Sequence, residues 1–306
     1  MKNQPLRYIK HQNIDSKKWD SCIANSQNRQ VYATSWHLDH ATEIWDALVM
    51  GDYKFVMPLP IKSKWGIKYV FQPLFCQQLG IYPSPPEEIA KQFYLVLTQI
   101  FRYVDTQINS QNTPIQHENN IEFTPRQNYI LPMNMSYAGL FSAYSTNTKR
   151  NLKKAEKNSL NFVSGISLED YLEFKSENLQ VILSKKELER LKSIIAFGQY
   201  KGTGKIYGVY TSGNELCAAV YFCRYENRVT YMNAASDKRG KELGAMAFLI
   251  DKFIQQNAGK NLVLDFEGSM IPGVARFYKG FGAYPETYFQ LKYNRLPLPL
   301  RWLKRI

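Results

Sequence analysis

The sequence predicts an α/β protein of two domains, each a mostly antiparallel mixed sheet flanked by helices. The chain has 306 residues, about twice the length of an average domain. Hydrophobic residues make up 44% of it and charged residues 21%, which suits two packed cores and excludes a disordered chain or a fibre. In each half, strand-like segments precede a helix-like segment and a further strand. The predicted domains are residues 1–140 and 141–306.

The first half contains one clear helix and a hairpin. The helix is expected over Glu87–Ile108, because two prolines precede it and the acidic pair Glu87 and Glu88 suits its first turn. Gly51-Asp52 reads as the turn of the hairpin. The other expected elements are a helix around Ser16–Ala24 and strands at Trp45–Met50, Lys54–Leu59, Lys68–Phe71 and Asn128–Pro132.

The second half is predicted to combine helices with an antiparallel meander. Gly213-Asn214 and Glu226-Asn227 are turn dipeptides between strand-like segments. Ser145 and Thr146 can cap a helix that runs through Lys157. The other expected elements are helices Glu169–Lys175, Lys185–Phe197 and Gly240–Gln256, a short helix through Tyr278, and strands Ile206–Tyr210, Leu216–Tyr225, Arg228–Ala235, Leu262–Phe266 and Tyr288–Tyr293.

Composition makes several classes of protein improbable. The four cysteines form no CxxC motif and the four histidines all lie in the first 120 residues, so neither a disulfide framework nor a zinc site is expected, and no metal is predicted. The N-terminus lacks the apolar core of a secretion signal, and no run approaches the roughly 20 apolar residues that span a bilayer. A cytoplasmic protein is expected, with peripheral membrane contact as a further expectation.

The positive charge is concentrated in the second half. The formal net charge is +13, with 13 basic and 11 acidic side chains in residues 1–140 but 26 and 15 in residues 141–306. This asymmetry indicates an anionic partner such as a phosphorylated cofactor, a nucleic acid or a lipid surface. The alternative is that the charge only keeps the protein soluble.

The turn after Arg228–Ala235 is rich in glycine and basic residues. It leaves a strand and enters a helix, which aims free backbone N–H groups and the positive end of the helix dipole at one place. This geometry predicts a phosphate or pyrophosphate site, and a solvated connection is the alternative. The candidate cofactor-binding residues are Asn233, Ala235, Ser236, Arg239, Gly240, Lys241, Gly244 and Ala245.

The order strand, glycine-containing turn, helix, strand and short helix resembles the GNAT acyltransferase superfamily. Tyr278-Lys279-Gly280-Phe281-Gly282 matches the Tyr-x-x-x-Gly pattern of that superfamily. Its pyrophosphate loop corresponds to Lys241–Met246, which keeps only the first glycine, with Lys in the Arg/Gln place. The resemblance implies a GNAT-like fold in which Tyr278 lies near the leaving group as general acid, packing beneath a helix being the alternative.

A second resemblance, to the Fem-type branch with its two tandem GNAT-like domains, covers nearly the whole chain. Asp265–Ser269, with Gly273, Phe277 and Phe281–Ala283 after it, looks like that branch, and Thr148–Ala155 is similar to the basic helix that opens its second domain. The branch implies transfer of an acyl group to an amine, from acetyl-CoA or another acyl-CoA. The alternatives are aminoacyl transfer from aminoacyl-tRNA to a cell-wall or surface-glycan precursor, and a catalytically silent module.

Three further side chains near this pattern are candidates for chemistry. Asp265 and Glu267 alternate on one face of the expected strand, so that one of two neighbouring carboxylates can serve as a base. A solvated or capping pair is the alternative. Ser269 is a candidate for substrate binding or for capping the next helix.

Two cationic segments account for most of the excess charge. The helix starting near Ser145 gathers its bases within an arc of about 140°, opposite Leu152 and Ala155. The segment Lys292–Ile306 has five bases and no acid, mixed with Leu, Pro and Trp, as in a membrane-surface contact or a packed tail. tRNA and a membrane surface are the expected partners, and the candidate contacts are Lys149, Arg150, Lys153, Lys154 and Lys157.

Overall fold

A computed structural model describes residues 5–115, 120–178, 183–268 and 270–297. The strands are β1 Leu6–Ile9, β2 Trp45–Met50, β3 Phe55–Lys64, β4 Ile67–Phe71, β5 Tyr103–Ile108, β6 Glu122–Pro132, β7 Asn161–Ser164, β8 Gly204–Tyr210, β9 Leu216–Tyr225, β10 Arg228–Ser236, β11 Val263–Asp265 and β12 Tyr284–Asn294. The helices are α1 Ser16–Asn25, α2 Ser35–Ala41, α3 Glu87–Ile100, α4 Tyr137–Ser142, α5 Thr146–Lys157, α6 Leu168–Glu177, α7 Lys185–Tyr200, α8 Lys238–Leu243, α9 Ala245–Asn257 and α10 Pro272–Lys279. Helices and mixed sheet together confirm the predicted fold class.

The chain forms two compact units. The second unit is continuous, from Gln127 to Glu286, whereas the first combines the chain up to Arg126 with the chain from Thr287 onward. Strands β6 and β12 therefore each divide between the units. The predicted boundary at residues 140 and 141 falls inside the second unit, and it stays a prediction about functional domains.

In the first unit, strands β1 to β5 follow one another in chain order, and the second part of β12 pairs with β5. Neighbouring strands are antiparallel except β4 and β5, which are parallel. Helix α3 buries Phe93, Tyr94 and Leu97 in the core of this unit.

The predicted helix Glu87–Ile108 is wrong in its second part. Helix α3 ends at Ile100, and Tyr103–Ile108 forms β5. Its alternating aromatic, β-branched and polar side chains suit a strand between two neighbours, and pairing with β4 and β12 overrides helix propensity. Four short elements, β1, α2, α4 and β7, were not predicted, since four to seven residues carry little periodicity.

In the second unit, the strand order is β6-β11-β10-β9-β8-β7. Among the described strands of this unit, only β10 and β11 run parallel. Helices α5 and α9 pack together, and α9 also packs on β8 and β9. Helix α5 buries Thr148, Leu152 and Ala155, which confirms the predicted apolar face.

The predicted helix Gly240–Gln256 is two helices, α8 and α9. Gly244 separates them with a φ of +74°, a left-handed conformation that glycine adopts without steric cost. The predicted strand Leu262–Phe266 is shorter, since β11 ends at Asp265, whereas β12 extends beyond the predicted Tyr288–Tyr293 at both ends. Within the described ranges, no helix is both long and apolar enough to cross a bilayer.

Candidate active site

Strands β10 and β11 diverge in the second unit. They pair in parallel over three positions, the last of which joins Thr230 to Asp265. β11 ends at that pair, whereas β10 continues through six more residues, from Tyr231 to Ser236. β11 therefore supplies no partner to this part of β10, and we call the edge from Tyr231 to Ser236 the open edge.

A β-bulge lies at the start of the open edge. Tyr231 is opposite Phe222 of β9 and Asn233 is opposite Tyr221, so Met232 is the extra residue of β10. A bulge bends its strand and increases the local twist. It therefore contributes to turning β10 away from β11.

The backbone beyond the bulge alternates in direction. Asp237 donates its N–H to the carbonyl of Cys217 at 3.3 Å, so the N–H of Asp237 points toward β9. In an antiparallel ladder such hydrogen-bonded residues recur at every second position. The backbone N–H and carbonyl groups of Ala235 and Asn233 therefore also point toward β9. The N–H and carbonyl of Ala234 face the opposite way, along the open edge.

Helix α6 places two side chains beside these residues. The hydroxyl of Tyr171 donates to Oδ1 of Asn233 at 2.7 Å. Lys175, one turn further along α6, donates from Nζ to the carbonyl oxygen of Ala234 at 3.2 Å. Lys175 is only 8% exposed, and burial lowers its pKa to about 8.

Tyr278 of α10 lies in an aromatic cluster next to the diverging strands. Its ring stacks on Phe266 with centroids 4.7 Å apart and meets Tyr231 edge-on at 6.0 Å. The side chain is buried, and burial raises its pKa well above the usual value, as do the charges of Glu267 and Asp265. Tyr278 therefore keeps its proton at neutral pH.

The structure explains the glycine at the end of the Tyr-x-x-x-Gly pattern. Gly282 has a φ of +82°, a conformation that favours glycine in the turn between α10 and β12. The carbonyl of Gly280 accepts hydrogen bonds from the N–H of Ser145 and the hydroxyl of Thr148, both at 2.9 Å. These bonds fix the end of α10 against the start of α5.

A largely buried ion-pair network joins β10, β11 and the first part of β12. Nε of Arg228 lies 2.6 Å from a carboxylate oxygen of Asp265, and its Nη2 lies 2.8 Å from one of Glu286. The amide of Asn128 also donates to Glu286, at 3.2 Å. Asp265 is fully buried, so Arg228 provides the compensating charge.

The expectation that Asp265 and Glu267 share one face of a strand is wrong. β11 ends at Asp265, and Glu267 has a φ of +58°. Asp265 instead accepts the backbone N–H of Glu267 at 2.9 Å in addition to the Arg228 bond. Arg228 and the N–H of Glu267 thus both engage the Asp265 carboxylate, and the roles of Asp265 and Glu267 as bases stay predictions.

The start of α8 does not fit a pyrophosphate. Asp237 caps this helix, and its carboxylate accepts the N–H of Gly240 at 2.5 Å. The carboxylate therefore occupies one of the donors that an anion needs and repels a second negative charge. Gly240 lies so close to β9 that a Cβ there would be 2.0 Å from the carbonyl oxygen of Cys217.

Gly244 and Ala245 lie at the start of α9. No side chain caps this helix. A Cβ on Gly244 would lie 2.9 Å from the carbonyl oxygen of Asn151 in α5, so α5 packs directly against the start of α9. Ala245 is fully buried.

The other predicted cofactor-binding residues near α8 have protein partners or face solvent. The hydroxyl of Ser236 donates to the carbonyl of Cys217 at 3.1 Å. Arg239 forms an ion pair with Glu215, and Lys241 is exposed. The cofactor role of these residues stays a prediction.

The cationic face of α5 is largely exposed. Arg150, Lys153, Lys154 and Lys157 are exposed. Lys149 is half-buried, where its Nζ donates to the carbonyl of Ser142 at 3.3 Å and lies over the ring of Phe141. Helix α5 itself contacts α8 and α9, the two helices that follow β10.

Two predicted features lie outside the described residues. They are Ser269, the candidate for substrate binding, and the part of the cationic tail from Leu298 onward. Among the side chains that the structure describes, no three His, Cys, Asp or Glu residues are grouped as metal ligands would be.

The sequence did not indicate the role of four side chains in this region, which are Tyr171, Lys175, Arg228 and Glu286. A signal existed for Lys175, because it stands four residues after Tyr171 and beside Phe174 on the apolar side of a short helix. No local pattern links Arg228 to Asp265 or Glu286, which are 37 and 58 residues away.

Comparisons with known proteins identify the fold. No family model matches the chain, and no curated protein has a significant sequence match. Among solved structures, FemX has a TM-score of 0.67 at 11% identity and is matched over 98% of this chain and 100% of its own. The L-PGS of Bacillus licheniformis has a TM-score of 0.58 at 12% identity, over 94% of each chain.

A third solved structure is similar to this chain in fold. The C-terminal domain of a putative lysylphosphatidylglycerol synthetase from Agrobacterium fabrum has a TM-score of 0.53 at 9% identity, over 95% of each chain. At these identities the likeness concerns the fold. The chain therefore has the GNAT-like fold of Fem-type proteins, as the two sequence resemblances implied.

Proposed function

We propose that this protein transfers an acyl group to an amine, with the acyl group held at the open edge of β10. The observation that carries the proposal is the divergence of β10 from β11 after Thr230, which leaves backbone groups without a strand partner. Such groups are in fixed positions before any ligand binds. Donors held in this way stabilise the charge that develops on a carbonyl oxygen during acyl transfer.

Each step of the transfer has a candidate residue. The N–H of Ala234 faces the open edge and donates to the carbonyl oxygen of the acyl group. Tyr278 is protonated at neutral pH, as tyrosines ordinarily are, so it can donate its proton to the leaving oxygen or sulfur. Glu267 is the candidate base for the incoming amine, since it follows Phe266, whose ring stacks on that of Tyr278.

We further propose an aminoacyl ester of tRNA as the donor. The Fem-type resemblance implies such donors, and two features of the chain support one here. The carboxylate of Asp237 disfavours a pyrophosphate at α8. Exposed bases, Arg150, Lys153 and Lys154, form a cationic surface on α5, a helix that contacts α8 and α9, and such a surface suits a polyanion.

Binding of charged tRNA, measured across a series of salt concentrations, tests this donor. We expect Lys153→Glu with Lys154→Glu to weaken binding about tenfold and to reduce the slope of log K against log salt by about 1.5, since two phosphate contacts are lost. Lys185→Glu with Lys192→Glu on α7 is the matched control, because these lysines are also exposed and the change in net charge is identical. Equal losses in the two variants, or no binding by the wild type, would exclude tRNA as the donor.

Acyl-CoA is the second candidate donor, favoured by the absence of a side-chain cap at the start of α9. If a CoA pyrophosphate binds there, coenzyme A at millimolar concentration raises the melting temperature. Lys241→Glu, an exposed change three residues before Gly244, then reduces that rise by charge repulsion. An unchanged melting temperature would rule out this donor and leave the tRNA proposal untouched.

A further inference from the structure

Lys175 carries a buried positive charge that the described part of the chain does not balance. Its ammonium group has three donors, and one of them bonds the carbonyl of Ala234. None of the ion pairs formed by described residues includes it. Buried charges in proteins are normally paired, so a group with two spare donors and no counter-charge suits an anionic ligand.

The position of Lys175 shows where such a ligand would bind. The carbonyl that it contacts faces along the open edge, because the residues on either side of Ala234 face β9. The N–H of Ala234 points to the same side of β10 as this carbonyl. A group bound to Lys175 would therefore lie on the same side of β10 as the proposed acyl carbonyl.

The charge of the site selects the anion. One ammonium group, on a residue that is 8% exposed, balances one negative charge. Tyr171, one turn earlier on α6, is neutral and is already bonded to Asn233. A phosphate dianion would keep an unbalanced charge away from water, whereas a carboxylate would not.

We propose that Lys175 binds a carboxylate of the acceptor, so that the acceptor is an amino acid or a peptide with a free carboxyl end. That the bound molecule is the acceptor rests on the proposed function, whereas the binding of a carboxylate to Lys175 does not. The bound carboxylate would place the amine of a short acceptor next to the acyl group. Such positioning converts an encounter between two molecules into a reaction within one complex.

The side-chain NMR signals of ¹³C-labelled lysine test this binding without any turnover. The signal of Lys175 is assigned by its absence from the Lys175→Met spectrum. Glycylglycine is expected to shift it, whereas glycylglycine amide, which lacks the carboxylate, leaves it in place. Lys175→Met should lower the affinity for glycylglycine roughly tenfold or more, as loss of a hydrogen bond between charged partners does. Lys192→Met, an exposed change on α7, should bind as the wild type does.

Three results would overturn the inference: an equal shift with the amide, unchanged affinity in Lys175→Met, or tighter binding of inorganic phosphate than of glycylglycine. If the Met variant does not fold, Lys175→Arg, which keeps the positive charge, also removes the lysine signal and so assigns it, and the wild-type titration then decides the first and third results. Failure of the proposed function appears separately, as the absence of acyl transfer from any donor while glycylglycine still binds. Conversely, transfer to amines that lack a carboxylate with equal kcat/KM would reject the inference and keep the function.

Discussion

Replacing Arg228 with Met is expected to lower the free energy of unfolding by about 3 kcal/mol, because it leaves a buried carboxylate without its counter-charge. Asp265 is fully buried, and Arg228 is its ion-pair partner at 2.6 Å. Glu286 loses the same partner. Urea denaturation, with intrinsic fluorescence as the probe, measures the change.

Two further variants serve as controls for Arg228→Met. Arg224→Met removes an exposed arginine from the neighbouring strand β9 and is expected to change stability by less than about 0.5 kcal/mol. Asp265→Asn in the Arg228→Met background removes the uncompensated charge and should recover part of the loss. If Arg228→Met and Arg224→Met have equal effects, the network does not stabilise the junction of β10 and β11.

Gly240→Ala is expected to destabilise the protein by about 3 kcal/mol, although alanine favours helices more than glycine does. The added Cβ would lie 2.0 Å from the carbonyl oxygen of Cys217, which is a backbone atom and cannot rotate away. The strand or the helix must therefore shift. Thermal and urea unfolding measure the loss.

The neighbouring position provides a matched control. Lys241 is exposed in the same helix, so Lys241→Ala should change stability by less than about 0.5 kcal/mol. The comparison also separates two roles of Gly240. If glycine served only the approach of a ligand, Gly240→Ala would be as stable as the wild type and deficient only in ligand binding.

Elements with short-range signals could be predicted closely from the sequence. β9 has the predicted bounds, Leu216–Tyr225, because a turn dipeptide stands before it and another after it. In both turns one residue, Asn214 or Glu226, has a positive φ. Helix α5 also begins and ends as predicted, since Ser145 caps it and its apolar positions recur with the helical period.

Features that depend on distant partners could not be predicted. The sequence predicts the end of a helix at β5 because the partner strand β12 lies far along the chain, with Asp105 and Gln290 bonded across 185 residues. In the candidate site, the aromatic pattern around Tyr278 was visible in the sequence. Arg228, which holds Asp265, and Lys175, which donates to the carbonyl of Ala234, come from other elements of the chain. Only the fold brings these partners together.

The division of the chain also sets an order in which the units can be completed during synthesis. The second unit is one continuous stretch, Gln127–Glu286, and all of it is available once Glu286 has been made. The first unit still lacks the second part of β12 at that moment, and β5 pairs with that part from Phe289 to Asn294. Since chains are made from the N-terminus and pairings between distant strands form slowly, the unit that emerges first is the last to be completed.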